Sequence, residues 1–135
     1  MRILLVEDET IIGLAAEAVL TAAGYEVIGP YKTYGDALEA ARREKPDVAI
    51  VDINLAGYNE GVGIVRDLYA CCGIRSIFAT GQLNIARENR DIALGVLPKP
   101  YSDSDLVGAF PVLEAILKGG TPPPPNIPAG LEVFA

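Results

Sequence analysis

Five short apolar runs divide the chain at nearly regular intervals, and this spacing restricts the fold more than any other feature. Each run has the length and β-branched content of a buried strand, and each is followed by a segment whose apolar side chains have helical spacing. The predicted strands cover residues 2–7, 26–29, 47–52, 75–80 and 93–97, and the predicted helices cover residues 10–22, 33–44, 60–71, 83–92 and 103–117. Such alternation is typical of a parallel sheet with helices on both faces. We therefore predict an α/β protein with a doubly wound, five-stranded parallel sheet in the order 2-1-3-4-5 and five helices.

Three acidic side chains follow two of these predicted strands at the point where each strand ends. Glu7 ends the first predicted strand and Asp8 follows it, while Asp52 ends the third. Strands one and three are neighbours in the predicted order, so the carboxylates would meet at one edge of the sheet. Close carboxylates repel each other, and oxygen donors without histidine or cysteine fit Mg²⁺. A solvated acidic rim is the alternative explanation for Glu7, Asp8 and Glu9 taken alone.

A hydroxyl and an ammonium group follow two further strands at the same edge. Thr80 ends the fourth predicted strand, and Lys99 follows the fifth. A carboxylate beside Mg²⁺ can accept a phosphoryl group as an acyl phosphate, whose oxygens Lys99 and Thr80 would contact. We therefore predict that Asp52 is a phosphoryl acceptor assisted by these two residues. The chain has no histidine, so a phosphohistidine donor would be another molecule.

Four segments of the chain resemble the receiver domain of two-component response regulators. They are Val6-Glu7-Asp8-Glu9, Val51-Asp52-Ile53-Asn54-Leu55-Ala56-Gly57, Ala79-Thr80-Gly81 and Lys99-Pro100-Tyr101. The resemblance extends from Met1 to about Leu117 and implies a flavodoxin-like fold. It also implies that a partner histidine kinase or histidine phosphotransfer protein phosphorylates Asp52.

The same resemblance implies a role for each site residue. Mg²⁺ would be held by Asp8, Asp52 and the backbone carbonyl of Asn54, with Glu7 acting through water. Lys99 would contact the phosphoryl group, and the peptide bond between this lysine and the following proline would be cis.

Two features concern how the phosphorylated state would be read by other proteins. Phe78-Ala79-Thr80-Gly81 resembles a receiver subgroup, known in alphaproteobacteria, that has no usual switch aromatic. The position three residues before the lysine, where the family usually has that aromatic, is Val96 in this chain. The resemblance implies that a downstream protein partner binds through the fourth helix, the fifth strand and the fifth helix.

The predicted domain organisation is one receiver domain over residues 1–118 and a proline-rich tail over residues 119–135. The four prolines at 122–125 favour a flexible tail, although apolar residues near its end leave a docking segment open as an alternative. Because no output domain follows, the chain is predicted to be a stand-alone regulator that switches protein–protein interactions. A phosphate sink, which drains phosphoryl groups from a phosphorelay, is the alternative within this class.

Two further classes of protein fit the sequence less well. A phosphatase of the haloacid-dehalogenase kind would carry a second aspartate two residues after the nucleophile, where this chain has Asn54. A flavodoxin-like cofactor binder would carry a glycine-rich phosphate loop after the first strand, where this chain has acidic residues. We therefore predict that the chain is not an enzyme with a separate substrate, but promotes its own Mg²⁺-dependent phosphorylation and dephosphorylation.

Charge and hydropathy restrict the kinds of partner. A formal net charge of −7 argues against binding to nucleic acid or to an anionic membrane surface, because both rely on Lys and Arg. No apolar stretch is long enough to span a bilayer, and no signal peptide is recognisable. We therefore expect a cytoplasmic protein whose partners are other proteins.

Overall fold

Strands and helices alternate along the chain as the apolar pattern predicts. The computed structural model describes residues 1–55, 59–120 and 127–134. The strands are β1 (Arg2–Val6), β2 (Glu26–Tyr31), β3 (Val48–Val51), β4 (Ser76–Thr80), β5 (Gly95–Pro98) and β6 (Glu132–Val133). The helices are α1 (Thr10–Ala22), α2 (Tyr34–Glu44), α3 (Glu60–Cys72), α4 (Leu83–Glu88) and α5 (Asp103–Leu117).

A single sheet forms the centre of the described part of the chain, with the strand order β2-β1-β3-β4-β5-β6. The first five strands in this order pair in parallel. Helices α1 and α5 pack on one face, where Leu20 and Phe110 are buried, and α2, α3 and α4 cover the other, where Ala37, Ile64 and Ala86 are buried. The predicted flavodoxin-like α/β fold and the order 2-1-3-4-5 are therefore confirmed.

The central strands are buried on both faces. Every residue of β3 and every residue of β4 is buried. A strand between two helical layers has no solvent-facing side, so its sequence is a continuous apolar run and does not alternate with polar residues. This is why these strands were recognisable from the sequence.

Strand β2 is longer than the sequence predicts. Proline lacks a backbone N–H, and we expected Pro30 to end the strand at Gly29; instead the strand continues to Tyr31. The backbone N–H of Glu7 donates to the Tyr31 carbonyl at 2.8 Å, which keeps Tyr31 in the sheet. Because β2 lies at an edge of the sheet, the missing N–H faces no neighbouring strand.

The prediction of a flexible tail is wrong for residues 127–134, which we call the edge segment. This segment contains β6, which pairs antiparallel with β5 and adds a sixth strand to the five predicted. Leu131 within it is buried, and burial of its apolar side chains stabilises the packed position. The predicted flexibility of residues 121–126 and of residue 135 concerns positions outside the described residues.

Three helices differ from the predicted pattern. The helical spacing of Ile11, Ile12, Ala15, Val19 and Ala22 predicts that Ile11 lies on the buried face of α1, but it is 83% exposed. Helix α1 is apolar almost all round, so its pattern does not single out one face. Helix α4 ends at Glu88, earlier than predicted, and α5 continues through Pro111 without a break. None of the helices in the described ranges has the length and apolar content needed to cross a bilayer.

Candidate functional site

The acidic residues meet because β1 and β3 are adjacent and in register. Val6 pairs with Val51, and the backbone N–H of Asp52 donates to the Val6 carbonyl at 3.0 Å. The two strands therefore end side by side at the same edge of the sheet, and the residues that follow them lie close together. One carboxylate oxygen from each of Glu7, Asp8 and Asp52 lies within 4.8 Å of the other two.

The ammonium group of Lys99 faces two of these carboxylates. Its Nζ lies 2.5 Å from Oε1 of Glu7 and 3.4 Å from Oδ2 of Asp52. The side chain of Lys99 is 17% exposed, while those of Glu7 and Asp52 are 4% and 8% exposed. The structure thus brings the Lys99 ammonium together with the carboxylates predicted to surround it, at the edge of the sheet where β1 and β3 end.

Burial and the ion pair between Glu7 and Lys99 shift the pKa values of both residues. Burial raises the pKa of the Glu7 carboxyl above its usual range, although the hydrogen bond from Lys99 acts in the opposite direction. Burial alone would lower the pKa of the Lys99 ammonium, but its hydrogen bonds and charge interactions with Glu7 and Asp52 outweigh burial and raise it. Lys99 therefore stays a cation at neutral pH.

Thr80 is buried at the end of β4, beside the strand that carries Lys99. Its Oγ1 accepts a hydrogen bond from the backbone N–H of Gln82 at 2.9 Å. The backbone N–H of Lys99 in turn donates to the Thr80 carbonyl at 2.9 Å. Both predicted helpers of Asp52 are therefore fixed to each other through the backbone. The Lys99–Pro100 peptide bond is cis, as the family resemblance implies.

The segment after Asp52 is held by backbone contacts that the sequence interpretation missed. The backbone N–H of Asn54 donates to Oδ1 of Asp52 at 3.2 Å, and the N–H of Gly61 donates to the Ile53 carbonyl at 2.9 Å. A Cβ atom at Gly61 would lie 1.9 Å from the Asp52 carbonyl oxygen. Gly61 thus allows α3 to begin against the acceptor residue. A glycine near a predicted helix start was the signal that could have identified it.

A groove that includes Lys99 lies between α1 and the segment that follows β5. It has a volume of about 380 Å³ and includes Ile11, Ile12 and Ala15 of α1 together with Lys99 and Tyr101. Its walls are mainly apolar, and the charged residues that line it are Lys99 and Asp103. Val96, at the usual position of the family aromatic, is fully buried and does not reach this surface.

Comparisons with known proteins agree with this arrangement. The response regulator receiver domain family matches residues 3–110. The transcriptional regulatory protein PdtaR of Mycobacterium tuberculosis is 31% identical over 112 residues, which cover 81% of this chain and 54% of PdtaR. The chain therefore spans about half the length of this curated relative.

Solved structures show the same fold. The response regulator PhyR from Brucella abortus is 29% identical, with a TM-score of 0.68, over 78% of this chain and 44% of PhyR. The response regulatory domain of MrkE from Klebsiella pneumoniae has 21% identity and a TM-score of 0.76, over 89% of this chain and 100% of that domain. The match over residues 3–110 shows that the chain belongs to the response regulator receiver domain family, and the likeness to PhyR shows that it resembles the PhyR-like members of that family.

Proposed function

We propose that the chain is a phosphorylation switch in two-component signalling, with Asp52 as the phosphoryl acceptor. The observation that carries this proposal is the position of Asp52: its carboxylate lies at the end of β3, within reach of the Lys99 ammonium and beside Glu7 and Asp8. A carboxylate in this position can act as a nucleophile, while Lys99 and the Thr80 hydroxyl stabilise the charge of the transferred group.

The donor set fits a divalent cation with oxygen ligands. One carboxylate oxygen from each of Glu7, Asp8 and Asp52 lies within 4.8 Å of the other two, and such a cluster of oxygen donors suits a hard divalent cation. We propose that Asp8, Asp52 and the backbone carbonyl of Asn54 hold Mg²⁺, with Glu7 acting through water. When bound, the cation would neutralise charge that accumulates on the phosphoryl oxygens.

The transfer reaction follows from these positions. A carboxylate oxygen of Asp52 attacks the phosphorus of a phosphohistidine, the P–N bond breaks, and the imidazole leaves and takes up a proton. An acyl phosphate on Asp52 results. The chain has no histidine, so a phosphohistidine donor would be another molecule, and we propose a histidine kinase or a histidine phosphotransfer protein for this role. The exposed Ile11 on α1, which lines the same groove as Lys99, gives such a protein an apolar contact beside the site.

The phosphorylated chain would act by binding other proteins and not by turning over a separate substrate. The elements that follow Thr80 and carry Lys99, which are α4 and β5, lie together at one end of the sheet. We propose that this end, with α5, is the surface that a downstream partner recognises. A phosphate sink would use the same acceptor chemistry without such a partner.

Phosphorylation of Asp52 can be tested with acetyl phosphate and Mg²⁺ on a Phos-tag gel. We expect a retarded band for the wild type and no such band for Asp52→Asn. Asp47→Asn is a matched control, because Asp47 is an exposed acid at the other end of the same strand region, where it accepts a hydrogen bond from the Arg2 backbone N–H. A wild type that is not retarded, or a retarded Asp52→Asn variant, would contradict the proposal.

A further inference from the structure

The edge segment is seated against the last parallel strand of the sheet. Val133 lies opposite Gly95 in the antiparallel pairing of β6 with β5, and the backbone N–H of Phe134 donates to the Leu94 carbonyl at 2.9 Å. The segment therefore satisfies backbone groups of a strand that would otherwise be an open edge.

The side chains of the edge segment reach both faces of the sheet. Leu131 is 6% exposed and, with Val133, contacts the core cluster under α1 and α5. Phe134 packs against the cluster on the opposite face. A short segment thus uses alternate side chains to hold the strand from both sides, which is how extended peptides are recognised when they add to a sheet.

An ion pair joins the edge segment to α4. The guanidinium of Arg87 donates to both carboxylate oxygens of Glu132, at distances between 2.7 and 3.1 Å. Because both side chains are partly exposed, the ion pair adds little to the strength of the contact between the edge segment and α4. Its main effect is to favour an acidic residue at the position of Glu132.

Two glycines on the receiving surface make room for the edge segment. A Cβ atom at Gly95 would lie 2.4 Å from the Glu132 carbonyl oxygen, and one at Gly108 of α5 would lie 2.8 Å from the Pro128 ring. Glycine weakens both strands and helices relative to alanine. Its presence in β5 and α5 therefore matches the close approach of another backbone.

We propose that the edge of β5, with Arg87 of α4 and Gly108 of α5, is a binding site for an extended strand of a partner protein. The edge segment occupies this site within the same chain. The partner supplies a strand of the same chemistry, an acid flanked by apolar residues, and replaces the edge segment. This inference specifies the output surface of the proposed function, but its test requires no phosphorylation, so the two can fail separately.

The edge segment competes with any free strand for the edge of β5, and this competition determines how tightly a peptide should bind. A covalently linked segment is present at a high effective concentration, so a free strand binds weakly until the linked one is released. Leu131→Asp in the full chain places a charge at a buried position of the edge segment and should release it, while the receiving surface remains unchanged. The probe is a fluorescent peptide with the wild-type sequence of residues 127–134.

Fluorescence anisotropy measures whether the peptide binds to each chain. We expect Leu131→Asp to bind it at least about tenfold more tightly than the wild type does, because the linked competitor is gone. Adding Gly95→Ala to this variant should abolish binding, since the new methyl group occupies the space of the incoming backbone. Arg87→Glu added to Leu131→Asp should weaken binding, and a peptide with Glu132→Arg should restore it.

Several results would overturn the proposal. One is a Leu131→Asp chain that is folded by circular dichroism but does not bind the peptide. Another is equal binding of the peptide with and without the added Gly95→Ala change, and a third is a wild-type dimer that exchanges edge segments between two copies.

A second measurement does not depend on the variant: excess unlabelled peptide is added to the ¹⁵N-labelled wild type. The amide signal of Phe134 should move to its unpaired position, and a signal that does not respond would contradict a replaceable strand.

Discussion

Lys99 and Glu7 form an ion pair with a separation of 2.5 Å, although they are 92 positions apart in the chain. The pair links the loop after β5 to the loop after β1, across the acceptor residue that lies between them. The cation proposed to contact a phosphoryl group on Asp52 is therefore held by Glu7 beforehand. Phosphorylation would have to draw Lys99 from Glu7 towards the new charge.

Removal of the Lys99 charge should destabilise the protein in the absence of Mg²⁺. Lys99→Met would remove the ammonium that pairs with the buried carboxylates of Glu7 and Asp52, and we expect the free energy of unfolding to fall by about 1–3 kcal/mol. Urea denaturation monitored by circular dichroism measures this. Lys118→Met is the control: Lys118 pairs with Glu114 on an exposed helix surface, and its loss should change stability by less than about 0.5 kcal/mol. Equal effects would argue against a strained acidic cluster.

The raised pKa of Glu7 predicts a pH dependence of stability without Mg²⁺. A carboxyl whose pKa is higher in the folded state stabilises the fold at low pH, and this contribution is lost as the pH rises through the folded-state value. The wild type should therefore gain stability relative to Glu7→Gln when the pH is lowered from about 8 to about 5. Urea denaturation of both proteins across this range measures the difference. A difference independent of pH, or one of opposite sign, would contradict the shift.

Magnesium should stabilise the folded chain through the three carboxylates. At a concentration of about 100 times its Kd, a ligand specific for the folded state adds about 2.7 kcal/mol to the free energy of unfolding. We expect thermal unfolding to shift upwards with MgCl₂ in the wild type and to shift much less in Asp8→Asn. Asp47→Asn serves as the control and should respond as the wild type does. A full response in Asp8→Asn would remove Asp8 from the set of ligands.

Two glycines of α3 should respond in opposite directions to alanine. At Gly61 the methyl group would collide with the Asp52 carbonyl, and we expect a loss of about 1–3 kcal/mol together with slower phosphorylation by acetyl phosphate. At Gly63 the nearest atom is Nη2 of the flexible Arg66, 3.5 Å away, so alanine should raise stability by up to about 1 kcal/mol. Denaturation curves and Phos-tag gels test both variants. Similar behaviour of the two variants would show that the contact at Gly61 is unimportant.

The parts of the fold that could be predicted from the sequence are those determined by local pattern. Buried strands such as β3 give uninterrupted apolar runs, and the right-handed crossover rule then limits the strand order. The grouping of Glu7, Asp8 and Asp52 followed from that order, because each lies at the end of a strand. Proximity of the predicted residues was thus a consequence of topology and needed no side-chain detail.

The remaining features depend on contacts between distant parts of the chain. A strand as short as β6 leaves no periodic signal, and its place beside β5 depends on Gly95 and on the ion pair between Arg87 and Glu132. The exposure of Ile11 depends on which side of an almost entirely apolar helix meets the sheet. Neither can be derived from neighbouring residues alone.

Pro30 in β2 has a consequence for the protein at high concentration. A sheet grows sideways only where a margin offers an unbroken row of donors and acceptors to another chain. At the β2 margin, proline removes one donor from that row, and at the opposite margin the edge segment already pairs with β5. Lateral pairing of copies into fibres is therefore disfavoured at the β2 margin by the missing donor and at the opposite margin by the shortness of β6, which offers only two residues to another strand.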